Sequence, residues 1–151
     1  MNAPKRTILL ADDDASIRTM VGRVLEAESY NVFFAKNGRE AARRFKTDPP
    51  DLVLLDLNMP VKSGWDTFER LTAANPLLPI IIITARPNQL FSALASGVGA
   101  LMEKPLDFPT LLETIRTLLA EPAEKRLARI AGKSAEFHYI RAPQQRGQRK
   151  G

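Results

Sequence analysis

The sequence predicts an α/β domain in which five strands form one mostly parallel sheet with helices on both faces. Short apolar runs alternate with amphipathic segments five times along the chain, and such strict alternation is typical of a parallel sheet. One run, Pro79 to Ile83 (PIIII), is β-branched and uncharged, as expected of a central strand covered on both faces. The length of 151 residues fits one domain.

Five short apolar runs predict the strands, and each ends at or beside polar residues. A run of this length bounded by polar residues is typical of a buried strand. The last run is the weakest of the five. The runs are Thr7 to Ala11 (TILLA), Val32 to Ala35, Asp51 to Leu55 (DLVLL), Pro79 to Ile83 and Ala100 to Glu103.

Apolar residues at helical spacing separate these strands. The first helix is predicted after Asp14, because an aspartate at that position caps the free N–H groups of a helix start. Its apolar positions recur at i, i+3, i+4, i+7 and i+8, and they are Ile17, Met20, Val21, Val24 and Leu25. The other predicted helices are Arg39 to Lys46, a helix opening at Gly64, Leu90 to Ser96 and a final helix through Leu111 to Leu119.

The composition excludes several classes of protein. The chain has no cysteine, which removes disulfides and thiolate chemistry and suits the cytoplasm that we expect. The polar start, Met1 to Arg6, lacks the pattern of a secretory signal. The longest apolar run falls far short of the roughly 20 residues of a membrane span, so we expect no membrane partner.

The positive charge of the chain is confined to its C-terminal tail. Eight of the 22 basic residues and three of the 17 acidic residues lie from Glu121 onward, which accounts for the whole net charge of +5. A neutral body with a basic tail differs from a basic nucleic-acid-binding domain. We therefore predict a domain at 1–121 and a basic extension at 122–151, partly helical or disordered. The pattern does not favour a nucleic-acid partner, although the tail could contact phosphates nonspecifically.

The tail itself allows several structures. Pro122 ends the preceding helix, and Ala123 to Ala131 could form one short helix with Leu127 and Ile130 as its apolar contacts. The isolated cluster Phe137 to Ile140 is open to three interpretations, because it could pack back on the domain, dock a partner or be disordered.

Polar side chains follow four of the five predicted strands. In open parallel sheets, ligands bind outside the carboxyl ends of the strands, so we expect these side chains to form one site. They are Asp12, Asp13 and Asp14 after the first strand, Asp56 after the third, Thr84 after the fourth and Lys104 after the fifth.

The chemistry of this set predicts a site that accepts a phosphoryl group. Carboxylates from two different strands repel each other, and a hard cation such as Mg²⁺ relieves the repulsion through oxygen ligands. An aspartate, here Asp56, can attack phosphorus and form an aspartyl phosphate. Thr84 and Lys104 would then supply a hydroxyl donor and a cation to the phosphoryl oxygens.

Four segments that carry these residues resemble the signature segments of response-regulator receiver domains of two-component systems: ILLADDD, DLVLLDLNMP, IIITA and MEKP. The resemblance covers Thr7 to about Glu121. It implies a flavodoxin-like sheet with the strand order 2-1-3-4-5. It also implies that a partner histidine kinase or histidine phosphotransfer protein phosphorylates Asp56.

The resemblance further implies a magnesium site and the roles of its ligands. Asp12 and Asp13 would hold Mg²⁺ together with Asp56, and the backbone carbonyl of Asn58 would complete the site. The Lys104–Pro105 peptide bond is expected to be cis, as an X-Pro bond in a tight loop allows. The protein would catalyse its own phosphotransfer and dephosphorylation and no other reaction.

Two features depart from the pattern of the family. Receiver domains usually carry Tyr or Phe three residues before the lysine, where this chain has Leu101. An aliphatic residue has no ring to flip, so we expect intact site chemistry and modified signal transmission. The interval between Thr84 and Gly97 is also short and contains Pro87, which predicts a fourth helix that starts late or is shortened.

The favoured function is a stand-alone, phosphorylation-dependent switch or phosphate shuttle that acts on a downstream target protein, with homodimer formation left open. The alternative is a receiver-shaped scaffold that binds partners without phosphorylation, which Leu101 favours and the full acid set opposes. A phosphatase of the haloacid-dehalogenase type would need a second aspartate where Asn58 stands. Arg18 is interpreted as an exposed helix charge, with kinase docking as the alternative.

Overall fold

The computed structural model describes residues 4–59, 64–85, 97–131 and 138–142. Within these ranges all strands lie in one parallel sheet with the order β2-β1-β3-β4-β5-β6. The strands are β1 (Thr7–Ala11), β2 (Asn31–Ala35), β3 (Leu52–Asp56), β4 (Ile80–Thr84), β5 (Ala100–Glu103) and β6 (His138–Ile140). The helices are α1 (Ala15–Ala27), α2 (Gly38–Thr47), α3 (Gly64–Ala74), α4 (Phe108–Ala120) and α5 (Ala123–Ile130).

The central strands are apolar on both faces because helices cover both sides of the sheet. Every residue of β3 and β4 is buried. Alternate residues enter two core clusters: Leu55 and Ile82 lie with apolar residues of α2 and α3, whereas Leu54 and Ile83 lie with those of α1 and α4. The predicted layer architecture is therefore confirmed, and the alternation follows from the period of two along a strand.

Side-chain caps start the helices directly after the strands. The Asp14 carboxylate accepts hydrogen bonds from the backbone N–H groups of Ser16 (2.8 Å) and Ile17 (3.4 Å), which confirms its predicted capping role. Asn37 and Asp107 cap α2 and α4 in the same way. These caps keep the loops at the carboxyl edge of the sheet short, and that edge carries the candidate site.

The sheet has six strands, so the prediction of five was wrong. The additional strand, β6, comes from the tail and pairs in parallel with β5, with Tyr139 opposite Leu101. Three residues carry too little periodicity for a strand to be predicted from them. For 138–140, the structure selects the first interpretation of the Phe137 to Ile140 cluster, in which it packs back on the domain.

The tail also forms the predicted helix, but arginine side chains rather than the predicted apolar ones turn toward the domain. Leu127 and Ile130 on α5 were predicted as its apolar contacts, yet they are 53% and 46% exposed. The side chains of Arg126 and Arg129 turn inward instead and are 19% and 8% exposed. Charge rather than apolar contact therefore sets the orientation of α5.

A buried carboxylate at the end of α4 explains this orientation. Arg129 donates hydrogen bonds to both carboxylate oxygens of Glu121 at 2.6 and 2.8 Å. The Arg126 guanidinium donates to the backbone carbonyls of Leu77 at 3.2 Å and Leu118 at 2.9 Å. A bidentate arginine–carboxylate pair is the strong, geometrically defined form of this interaction, and it fixes α5 against the end of α4 and the segment before β4.

Some predictions lie beyond what the structure describes. The predicted helix Leu90 to Ser96, with Pro87 before it, lies outside the described residues. The division of the chain after residue 121 stays a prediction. Among the helices that are described, none combines the length and the hydropathy that crossing a membrane requires.

Removal of the Glu121 charge should destabilise the protein. In Glu121→Gln two buried guanidinium groups lose their compensating carboxylate, so we expect the free energy of unfolding to fall by about 3 kcal/mol. The exposed Glu124 on α5 provides the matched control, and Glu124→Gln should change stability by less than about 0.5 kcal/mol. Urea denaturation followed by circular dichroism measures both variants. Equal stabilities would contradict the assignment of Glu121 as the anchor of α5.

Candidate phosphoryl-acceptor site

Three predicted acids converge at the carboxyl edge of the sheet. Asp12 and Asp13 directly follow β1, and Asp56 ends its hydrogen-bonded neighbour β3. One carboxylate oxygen from each acid lies within 4.8 Å of the others. Asp12 and Asp56 are 0% and 1% exposed, whereas Asp13 is exposed to solvent. The structure therefore assembles the acid set expected from the sequence, with two of its members buried.

Asp12 is held through both its side chain and its backbone. Its Oδ1 accepts a hydrogen bond from the Asp14 N–H group at 2.9 Å, and its own N–H group donates to the carbonyl of Ala35 at 3.0 Å. The Arg18 guanidinium donates to the Asp12 carbonyl at 2.7 Å. The interpretation of Arg18 as an exposed helix charge did not include this contact. The contact depends on how the first turn of α1 lies against the end of β1, which the sequence pattern does not show.

Asp56 presents one fixed oxygen and one oxygen turned toward the other charges. Its Oδ1 accepts a hydrogen bond from the Asn58 N–H group at 3.0 Å. The following residue, Leu57, donates its N–H group to the Ile83 carbonyl at 3.1 Å, which ties the loop to β4. Oδ2 of Asp56 lies 3.6 Å from Nζ of Lys104.

Lys104 and Thr84 are brought to the same edge. Nζ of Lys104 lies 3.0 Å from Oδ2 of Asp12, and within the described ranges that oxygen accepts no well-aligned hydrogen bond, so the contact is chiefly an ion pair. The backbone N–H group of Lys104 donates to the Thr84 carbonyl at 2.8 Å. Thr84 is fully buried at the end of β4. The Lys104–Pro105 bond is cis, as predicted.

Burial and charge shift the protonation of the site. Burial raises the pKa of Asp56 from 3.8 to about 6, the hydrogen bond from Asn58 opposes this shift, and the Asp12 charge adds to it. Burial lowers the pKa of Lys104, but its close contact with Asp12 and the charges of Asp12 and Asp56 together outweigh burial, so the net shift is upward. At neutral pH the Asp56 carboxylate is therefore mostly ionised beside the Lys104 ammonium.

This donor set fits a divalent metal ion. Mg²⁺ prefers oxygen ligands, and the three clustered donors are all carboxylate oxygens. One lysine cannot balance the charge of Asp12, Asp13 and Asp56 together, so a cation would lower the repulsion among them. The backbone carbonyl of Asn58 as a further ligand stays a prediction.

Gly64 allows α3 to begin directly on the backbone of the Asp56 loop. A Cβ atom at this position would lie 2.4 Å from Cα of Leu57 and 2.7 Å from the Asp56 carbonyl oxygen. The Gly64 N–H group donates to the Leu57 carbonyl at 3.1 Å. Helical periodicity marks Gly64 only as a helix start, because a close approach between backbones leaves no periodic pattern.

The chain belongs to the response-regulator receiver domain family, whose sequence model matches residues 8–116. The transcriptional regulatory protein ZraR of Salmonella typhimurium is 36% identical over 138 residues, which cover 90% of this chain and 31% of ZraR. The DNA-binding transcriptional regulator NtrC of Rhizobium meliloti is 35% identical over 121 residues, covering 79% of this chain and 25% of NtrC. The chain thus spans about a quarter to a third of these relatives.

Solved structures give the same result for the fold. A CheY-like receiver domain protein from Methanospirillum hungatei superimposes with a TM-score of 0.75 at 29% identity, covering 81% of this chain and 98% of that protein. Response regulator TrrA of Thermotoga maritima, solved in complex with Mg²⁺ and BeF, gives a TM-score of 0.70 at 29% identity, covering 75% and 98%. The flavodoxin-like order 2-1-3-4-5 is confirmed, with β6 added beside β5.

Replacement of Gly64 should disturb Asp56 through the backbone of Asp56 and Leu57. The Cβ atom in Gly64→Ala collides with backbone rather than with a flexible side chain, so we expect stability to fall by about 1–3 kcal/mol and the phosphorylation rate of Asp56 to fall with it. Ala74→Ser at the exposed end of the same helix serves as the control. Thermal unfolding and intact-mass time courses measure the two effects, and a Gly64→Ala protein with unchanged stability and rate would refute the close approach.

Asp56→Asn should stabilise the metal-free protein at neutral pH. An acid whose folded pKa is raised binds its proton more tightly in the folded state. The protonated carboxyl of Asp56 therefore stabilises the folded protein relative to the ionised carboxylate. This contribution is complete below the pKa of the unfolded state and is lost as the pH rises through the folded pKa of about 6. At pH 7.5 in chelator we expect Asp56→Asn to gain about 1–3 kcal/mol over the wild type, and the gain should vanish near pH 4. A gain that grows toward low pH contradicts the raised pKa.

Proposed function

We propose that this chain is a phosphorylation-dependent signalling receiver in which Asp56 accepts a phosphoryl group from a histidine kinase or histidine phosphotransfer protein. The carrying observation is the convergence of three carboxylate oxygens within 4.8 Å, with Nζ of Lys104 at 3.0 Å from Asp12 and 3.6 Å from Asp56. Membership of the receiver family supports the same class of function.

The proposed transfer uses the oxygen of Asp56 that the loop leaves available. Because the Asn58 N–H group holds Oδ1, Oδ2 is the oxygen that would attack phosphorus. The new Oδ2–P bond forms as the bond between phosphorus and the donor histidine nitrogen breaks, and that nitrogen leaves with the bonding pair. Lys104 and the Thr84 hydroxyl would donate to the phosphoryl oxygens, so that charge is stabilised by positioned groups.

The acid cluster is proposed to hold Mg²⁺ through Asp12, Asp13, Asp56 and the backbone carbonyl of Asn58. When bound, the ion would offset the negative charge of the carboxylates and of the phosphoryl oxygens. The Thermotoga TrrA structure, which contains Mg²⁺ and BeF, supports this proposal for a related chain. Asp13 is the solvent-exposed member of the cluster, beside two buried acids.

We propose that the receiver itself binds a downstream target protein or passes its phosphoryl group on. The tail segments through residue 142 pack on the domain as α5 and β6, which supports action as a switch that binds a target protein or as a phosphate shuttle. Apart from its own phosphotransfer and dephosphorylation, we propose no enzymatic activity. Asn58 stands where a phosphatase of the haloacid-dehalogenase type would need its second acid.

Incubation with acetyl phosphate tests the proposed chemistry. We expect the intact mass to increase by one phosphoryl group, in wild-type protein only, and only when Mg²⁺ is present. Asp56→Asn should take up none, because it lacks the nucleophile. Asp14→Asn is the matched control: it removes a neighbouring acid but keeps a good helix cap, so it should be phosphorylated like the wild type.

The alternative outcomes separate the competing functions. A folded protein that binds Mg²⁺ but gains no mass would favour the unphosphorylated scaffold. Equal phosphorylation of Asp56→Asn and wild type would contradict the assignment of the acceptor. Uptake that is indifferent to chelator would contradict the proposed metal site.

A further inference from the structure

The tail strand β6 closes the β5 edge of the sheet with few contacts. Its three residues pair with Ala100, Leu101 and Met102, and each of the three is only partly buried. Tyr139 packs against the core cluster that contains Leu101, and Ile140 packs against the cluster on the other face. A strand this short at the edge of a sheet belongs to the least stable part of a domain, which opens locally at a small cost in free energy.

One carboxylate anchors this strand. The Tyr139 hydroxyl donates to Oε2 of Glu103, and the Ala142 N–H group donates to Oε1 at 3.2 Å. The hydrogen bond to Glu103 raises the pKa of the Tyr139 hydroxyl. The guanidinium carbon of Arg141 lies 5.8 Å from the centre of the Tyr139 ring. Both oxygens of Glu103 therefore hold the tail in place.

The same residue is directly joined to the candidate phosphoryl-acceptor site. Glu103 lies opposite Thr84 in the register of β4 and β5, and the next residue is Lys104. The Lys104 N–H group donates to the Thr84 carbonyl at 2.8 Å, and its ammonium contacts Asp12 and Asp56. A single peptide bond thus separates the anchor of the tail from the cation of the site.

We propose that β6 is a displaceable strand that is released from the β5 edge when Asp56 is phosphorylated. This inference rests on the proposed function. The resident occupant of the edge is the chain's own segment 138–142. Its release exposes the unpaired N–H and C=O groups of β5, a surface that suits an extended strand of a target protein.

Electrostatics gives the direction of the effect. The phosphoryl group adds about two negative charges and draws Lys104 away from Asp12. The docked tail holds the Glu103 carboxylate in place on β5, the second strand from the strand that carries Asp56, so the added charge repels this carboxylate at longer range. In the released state the carboxylate can turn into water, where the repulsion is screened. Phosphorylation therefore favours the released state over the docked one.

The test measures tail opening on the full chain, with and without acetyl phosphate and Mg²⁺. Amide hydrogen exchange at residues 138–142 and tryptic cleavage after Arg141 should both become about fivefold faster on phosphorylation. The intact mass of the same samples records the extent of phosphorylation. Tyr139→Phe keeps the ring but loses the hydroxyl, so it should open faster even when unphosphorylated.

Variants that remove one negative charge test whether Glu103 links phosphorylation to the opening of the tail. Glu103→Gln loses the charge and keeps one of the two acceptor oxygens, so its tail should open somewhat faster before phosphorylation, yet phosphorylation should accelerate the opening little further. Glu26→Gln, on the exposed side of α1, should respond like the wild type. Full acceleration in Glu103→Gln would overturn the role given to this carboxylate.

The intact mass separates failure of this inference from failure of the proposed function. Phosphorylated protein whose tail exchanges and is cleaved at the unphosphorylated rate, or more slowly, overturns the release of β6 and leaves the receiver function standing. Protein that takes up no phosphoryl group overturns the proposed function, and the release of β6 with it.

Discussion

Two buried carboxylates on neighbouring strands repel each other, and the carboxyl edge of the sheet is organised around that repulsion. Asp12 and Asp56 are nearly inaccessible to water, so their charge must be met by protein groups or by a bound cation. Hydrogen bonds from the loop fix one oxygen of each acid, and Lys104 meets the other oxygens. An arrangement of this kind opposes stability and is typical of functional sites.

The sheet carries this arrangement on strands whose centre is fully buried. β3 and β4 are buried along their whole length, and helices on both faces leave little room for the strand ends to move. The closest constraint is at Gly64, where a helix start rests on the backbone of the acceptor loop. Packing on one side and charge on the other thus hold Asp56 in one geometry.

In the tail, two carboxylates hold α5 and β6 against the rest of the domain. The Glu121 carboxylate fixes α5 through Arg129, and the Glu103 carboxylate fixes β6 through Tyr139 and the backbone of Ala142. The first pair is deeply buried, whereas the second lies at a sheet edge and is partly exposed. Leu101 leaves its face of β5 without an aromatic residue of its own, and Tyr139 packs beside it from the neighbouring strand.

The sequence by itself determined the α/β class, the cap at Asp14 and the acids at the strand ends, because these depend on local periodicity and on the chemistry of residue types. It also predicted the helix of the tail, but not which face of that helix turns inward. Only the tertiary structure decided the contact of Arg18 with Asp12, the close approach at Gly64 and the pairing of β6 with β5. Each of these joins residues through backbone geometry or charge across the fold, and such contacts leave no periodic signal in the chain.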